Sequence, residues 1–116
     1  MEKTLQIDGK AVRFKSTAAI PYLYRHKFGK DFMMECARLQ DAAEKAKRDG
    51  TPLEISDLEM FERITYIMNK HADANVPDDM ETWLEGFETF SIYEILPEIL
   101  ELWRVNQKTT VRPAKK

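Results

Sequence analysis

The sequence holds a single cysteine, Cys36, and two histidines, His26 and His71. One thiol cannot build a disulfide framework or a thiolate zinc site. Glycine and proline are scarce, four and five in 116 residues, which excludes a low-complexity chain. There is no apolar run of about 18 residues, so no membrane-spanning helix is expected. The opening residues, Met1-Glu-Lys-Thr-Leu-Gln-Ile7, lack the apolar core of a secretory signal, and a cytoplasmic location is expected. Basic residues are almost missing from the middle of the chain. Residues 54–103 carry 2 Lys/Arg against 13 Asp/Glu, whereas residues 1–53 carry 11 against 7 and residues 104–116 carry 5 against none. The middle therefore repels nucleic acid, and any phosphate contact would have to come from the ends.

Hydrophobic residues make up 43% of the chain and charged residues 33%, above the ~25% charge of an average globular chain. Together with the low glycine and proline content, this argues for one helical domain with a real core. The fold class expected is mainly α: a small single-domain bundle of about five helices, residues 1–106, with an N-terminal two-stranded β-hairpin at 3–15 and a disordered basic tail at 107–116. The hairpin follows from Asp8-Gly9, a dipeptide suited to a type I′ turn, whose two central residues need positive φ. A two-residue turn there pairs Ile7 with Lys10, Leu5 with Val12 and Lys3 with Phe14. That register places Leu5, Ile7, Val12 and Phe14 on one face, so turn and apolar pattern agree.

Ser16-Thr17 offers an N-cap and Pro21 a first helical position, with the regular helix starting at Ile20 or Pro21. Ile20, Leu23, Tyr24 and Phe28 form one helical stripe, and Gly29 stops it. Asp31 caps a second helix running to about Arg48, with Phe32, Cys36, Leu39, Ala43 and Ala46 inward. Gly50, Thr51 and Pro52 break it. Ser56-Asp-Leu-Glu59 reads as a capping box for a third helix with Leu58, Phe61, Thr65, Met68 and Ala72 on its stripe, widened by Ile64 and Ile67. A loop at Asp73–Pro77 precedes a short capped helix carrying Met80, Trp83, Leu84 and Phe87. Ser91-Ile-Tyr-Glu94 opens a last helix with Ile92, Ile95, Leu96, Ile99 and Trp103 on one side. Pro97 lies inside it, and a kink or restart is expected there.

Little in the chain points to catalysis. The two histidines have no metal-ligand spacing around them, and Cys36 on an inward stripe reads as a small hydrophobe. The run from Asp73 to Asp79 fails as a calcium loop, because its sixth and twelfth positions are Asp78 and Leu84 rather than Gly and Glu. Gly29-Lys30 lacks the upstream glycines of a phosphate-binding loop. No catalytic, cofactor or metal site is expected, and the protein reads as a non-enzyme. Glu94, Glu98 and Glu101 form an acidic stripe with no basic residue four positions on. Arg25, His26, Lys27 and Lys30 form a basic cluster beside Tyr22 and Tyr24, which complements a helix C-terminus or contacts nucleic acid. The aromatics and methionines are numerous for one small core. Phe32, Met33 and Met34 cannot all face inward on one helix, and neither can Phe87 and Phe90 with Trp83 if a turn intervenes. An exposed apolar patch is therefore expected, and with it a partner or self-association.

The stretch from Thr17 to Asp31 carries Thr17-Ala18, then Tyr24-Arg25-x-x-Phe28-Gly29-x-Asp31, after a strand pair. In this it resembles the tail assembly chaperones of long-tailed, siphovirus-type phages and prophages of Gram-positive bacteria. The resemblance extends to an acidic, tryptophan-containing end, here Trp83-Leu-Glu-Gly-Phe87 and Tyr93-Glu-Ile-Leu-Pro97, and covers most of residues 4–103. It implies a non-enzymatic chaperone in the cytoplasm of an infected or lysogenic host. Such a protein binds the tape measure protein and keeps it soluble until the tail tube polymerises. The resemblance also implies homo-oligomers and, as a further partner, a frameshifted longer form of the same chain. Tyr24, Arg25, Phe28, Gly29 and Asp31 then serve either as a structural corner or as a contact. The client-facing or self-associating surface is expected in the acidic C-terminal half, on Trp83, Phe87, Phe90, Glu94, Glu98, Glu101 and Trp103. The alternative is a small phage regulatory or nucleic-acid-associated protein that uses the basic corner and tail.

Overall fold

In the computed structural model, which describes residues 1–107, Asp8 and Gly9 both take positive φ, 56° and 73°. This is the backbone of a type I′ turn, and it joins β1 (Glu2–Ile7) to β2 (Lys10–Lys15) in the expected antiparallel register, with Leu5 opposite Val12 and Lys3 opposite Phe14. The ladder is closed at its open end by Ser16 N donating to Met1 O at 2.8 Å. Ile7, Val12 and Phe14 are buried and Leu5 packs beside them. A lone hairpin is marginal in water. This one is held by packing on the helices.

Five helices follow: α1 (Ile20–Phe28), α2 (Phe32–Asp49), α3 (Ile55–Ala72), α4 (Met80–Glu85) and α5 (Ile92–Gln107). The mainly helical domain with an N-terminal hairpin is thus the observed fold. The centre is α3, whose residues 64–69 are all buried. It touches the hairpin, α1, α2, α4 and α5. A helix buried on every side loses the one-sided stripe of a surface helix. That is why Tyr66 and Asn69, off the expected stripe, are core residues. Burying Phe61, Ile64, Ile67 and Met68 contributes about 1.5–3 kcal/mol each.

Several local expectations shift. Ser16-Thr17 does not cap α1: Ser16 is locked in the ladder, and Ala19 is the N-cap, without a side-chain bond. Thr17 Oγ1 instead accepts from Ala19 N at 3.2 Å, a local turn ahead of Pro21. The box opening α3 sits two residues before Ser56, with Glu54 as N-cap and the Asp57 carboxylate accepting from Glu54 N at 2.8 Å. The first turn juts into solvent, so Leu58 is exposed rather than inward. On α2 the stripe is buried only through Leu39, and Ala43 and Ala46 are half-exposed. α5 does not restart at Pro97. The proline N cannot donate to the Tyr93 carbonyl, but both residues are exposed, so water can take that bond. Gln107 belongs to α5; the remainder of the expected tail lies outside the described residues.

Candidate functional site

The aromatic residues expected to form a contact surface are drawn inward. Trp83 is 3% exposed. Its indole Nε1 donates to Asn69 Oδ1 at 2.9 Å, and Asn69 Nδ2 donates to Arg13 O at 2.7 Å, so one amide ties α4 to α3 and α3 to β2. Phe87 and Phe90 stack edge-on against the Trp83 ring at 5.7 and 5.5 Å. The three rings share one side because the chain folds back after α4. The hairpin tip holds that return: Asp8 Oδ2 accepts from Glu88 N at 2.9 Å, and Lys10 Nζ donates to Gly86 O at 2.6 Å. Trp103 is 7% exposed and meets Phe32 edge-on at 4.7 Å. Trp83 and Trp103 are therefore core residues and not a contact surface, while Phe87 and Phe90 are half-buried.

The acidic stripe is also less free than its sequence spacing implied. Glu101 accepts from Arg104 Nε at 2.9 Å, an i,i+3 pair, and Glu98 pairs with Lys3 of the hairpin. Among the three, Glu94 stays exposed with no ion pair among the described residues.

The corner from Tyr24 to Asp31 is structural in its geometry. Gly29 has φ 66° and accepts the helix end, its N–H donating to Arg25 O at 2.8 Å. An L side chain there would meet the steric strain of the left-handed region. Asp31 Oδ1 accepts from Met34 N at 3.1 Å and caps α2. Phe28 and Phe32 stack edge-on against Tyr24, and Arg25 points outward over the exposed Tyr22 ring. Tyr24 Oη donates to Glu35, and Arg63 closes the group. Its Nη2 donates to both carboxylate oxygens of Glu35 at 3.0 and 2.9 Å, and its Nε donates to Tyr24 Oη at 3.2 Å. Burial and the Glu35 carboxylate push the Tyr24 phenol well above its usual range. Glu35 and Arg63 were not among the expected residues. The signal was present: Glu35 falls among the inward positions Phe32, Cys36 and Leu39, where a carboxylate needs a cation, and residues 54–103 offer only Arg63 and Lys70.

The remaining titratable groups serve the fold. Burial, with the nearby Glu35 carboxylate, pushes the Cys36 thiol up to about 12, which keeps it unreactive at neutral pH. His71 Nε2 meets Thr17 Oγ1 at 2.9 Å. In the loop after α3, Tyr66 Oη donates to Pro77 O and Lys70 Nζ to Val76 O, both at 2.6 Å. Lys70 also pairs with Asp78, and Asp79 caps α4 through Thr82 N. These loop oxygens are engaged by protein donors rather than arranged around a cation. Among the described residues, no group of three or more His, Cys, Asp or Glu is placed to hold a metal ion. Of the basic cluster, Lys27 stays exposed but is engaged, donating to Asp78 O and lying 5.7 Å over the Tyr66 ring.

The open apolar feature lies elsewhere. A groove of about 680 Å³ runs between the second half of α2 and α5. Its floor and walls are Ala43, Ala46, Leu53, Leu96 and Leu100, with Tyr93, 64% exposed, at one edge. Charged residues of both signs line its rim: Glu44 and Lys47 on α2, Glu101 and Arg104 on α5. The small alanines hold one wall low, so a bulky apolar side chain can enter between the helices. Met33 and Met34, exposed at the start of α2, form a separate apolar spot. Compared with protein-family models, with curated proteins and with solved structures, the chain matches none.

Proposed function

We propose that this protein is a non-enzymatic chaperone that binds an amphipathic helix of its client in the α2/α5 groove. The observation that carries the reading is the groove itself: about 680 Å³, lined by apolar side chains, with charged residues of both signs beside them. Helix-in-groove recognition uses this arrangement, with anchors at i, i+3 or i+4 and i+7 entering an apolar trough. A mixed-sign rim orients the client and restrains coalescence of the bound complexes. The resemblance of the Tyr24–Asp31 segment to phage tail assembly chaperones supplies the client class, the long helical tape measure protein, and a cytoplasmic setting in a bacterial host. A frameshifted longer form of the chain and further copies of it are the other partners under this reading.

The test fills the groove. Ala46→Leu and Ala43→Leu add side chains to half-exposed positions of a helix, with a propensity change of a few tenths of a kcal/mol. Each variant is expected to keep the melting temperature of the parent and to lose retention of the tape measure protein in the soluble fraction on co-expression. Retention unchanged in both variants would overturn the groove as the client site. Binding that persists in the variants but collapses with added salt, and is carried by nucleic acid, would favour the basic-corner alternative.

A further inference from the structure

In the hairpin, Ser16 N donates to Met1 O, so Met1 and Ser16 are a bonded pair of the ladder. Bonded and non-bonded pairs alternate along antiparallel strands. Lys3, Leu5 and Ile7 therefore exchange their bonds with β2, and Glu2, Thr4 and Gln6 turn their N–H and C=O groups away from it. On β2 the outward edge lies over α3, where Arg13 O accepts from Asn69 Nδ2. On β1 the outward edge is open. Glu2, Thr4 and Gln6 are exposed, and among the described residues nothing bonds their backbone groups. No proline or bulge interrupts this edge, as would be needed to blunt it. We propose that β1 takes an extended, basic segment of a partner protein as a third strand. The edge is separate from the α2/α5 groove and can be filled whatever the groove holds.

The surroundings of the edge select this occupant. Asp8 at the hairpin tip holds Glu88 N, and Lys3 pairs with Glu98, so α5 runs beside β1 in the opposite direction. Glu94 lies one turn, about 6 Å, before Glu98. That is two residues of strand, which sets Glu94 level with Leu5. Carboxylates thus flank the edge along its length: Asp8 and Glu88 at the tip, Glu94 in the middle without an ion pair among the described residues, and Glu98 at the far end. In an added strand the residue opposite Leu5 faces the same side as Leu5. A lysine or arginine there lays its apolar stem on the half-buried Leu5 and carries its charged head to Glu94. Main-chain bonds to Thr4 and Gln6 supply affinity, and the basic side chains supply selectivity and speed of encounter. A second copy suits the edge poorly, because joining β1 to β1 brings two acidic α5 stripes together. A docked helix has its backbone N–H groups committed and cannot complete the edge.

The test titrates the uniformly labelled protein with a capped seven-residue peptide of alternating Thr and Lys and records amide signals. The Thr4 and Gln6 signals are expected to move downfield as their N–H groups gain acceptors. Signals that stay still at millimolar peptide would overturn the proposal. So would movement at Ala43 and Ala46 alone, since the peptide would then sit in the groove; Ala46→Leu, which fills the groove, is expected to bind the peptide as the parent does. Thr4→Pro blocks the edge while the hairpin keeps its bonds, because the Thr4 N–H points outward. This variant is expected to keep the Leu5 and Val12 signals of the parent and to bind the peptide about tenfold more weakly. Unchanged affinity in a Thr4→Pro protein that keeps those signals would refute the edge as the site. Glu94→Gln leaves the edge intact and is expected to weaken binding about twofold to fivefold at low salt, and less near 1 M salt, where the Debye length is about 3 Å. A peptide with Glu in place of Lys is expected to leave Thr4 and Gln6 unmoved, and equal movement with it would overturn the basic partner.

Discussion

Arg63→Met removes one partner from a pair that is almost entirely out of water. The Arg63 and Glu35 side chains are 15% and 11% exposed and joined through Nη2 at 2.9 Å, with a second Nη2 contact at 3.0 Å and Nε to Glu35 Oε1 at 3.2 Å. The methionine fills the volume of the arginine stem, so the loss is electrostatic rather than steric. Glu35 then keeps only the Tyr24 hydroxyl. Stranding a buried charge in this way costs about 3–5 kcal/mol. That is a large share of the ~5–15 kcal/mol that holds a domain together. At about 4 °C per kcal/mol for a domain of this size, the melting temperature should fall by roughly 12–20 °C. Glu35→Met should cost less, because the long arginine stem can carry its charged head out to solvent. The double variant, Glu35→Met with Arg63→Met, should recover much of the loss, giving a coupling of about 2–3 kcal/mol in a double-mutant cycle. Urea unfolding followed by far-UV circular dichroism, read as the midpoint at constant slope, measures all four proteins. A cost under about 1 kcal/mol for Arg63→Met, or a double variant no more stable than Arg63→Met, would refute the argument that the corner rests on a desolvated pair.

Two further outcomes follow from the fold. Trp83→Phe keeps the ring stack but leaves Asn69 Oδ1 without its donor, so a loss of about 1–3 kcal/mol is expected, against about 3–5 for Trp83→Ala, both read from thermal unfolding. His71 has its pKa lowered by burial and by Lys15 beside it, so the native state holds fewer protons than the unfolded chain; stability should be full above the unfolded value near 6.5 and fall as pH drops through the folded one. Urea midpoints at pH 7.5 and 5.5 should show that fall in the parent and a smaller one in His71→Gln, and an equal fall in both would assign it to other groups.

The hairpin was legible because two independent signals met in it: the Asp8-Gly9 turn fixed a register, and the apolar residues fell on one face of that register. Gly29 and Asp31 were legible for a similar reason, each having a backbone role that few residue types can fill. The Asp57 half of the α3 box was harder to read, because Asp at the third position answers for the usual Glu and draws the helix start ahead of Ser56. The aromatic surface failed on tertiary grounds. Whether Phe87 and Phe90 join Trp83 depends on Asp8 and Lys10 gripping a loop some 80 residues away, and no local pattern carries that. The cation that Glu98 finds was hidden in the same way, because it comes from Lys3 of the hairpin.

The aromatics that seemed too many for one core are what a central helix demands. With the middle of α3 enclosed on every side, its neighbours present large side chains to it: Trp83 meets Tyr66, and Phe90 meets Phe61. The contact surface is therefore to be sought where the chain spends helix without burying it. Residues 40–49 of α2 include no fully buried residue, yet they stay helical to Gly50. Asp41 with Lys45, and Glu44 with Arg48, stand at the i,i+4 spacing that supports a helix without help from a core. The one consequence of this segment for the rest of the molecule is to raise a wall of small residues opposite Leu96 and Leu100. Under the groove reading, the small residues Ala43 and Ala46, rather than the buried tryptophans, are the positions to substitute first.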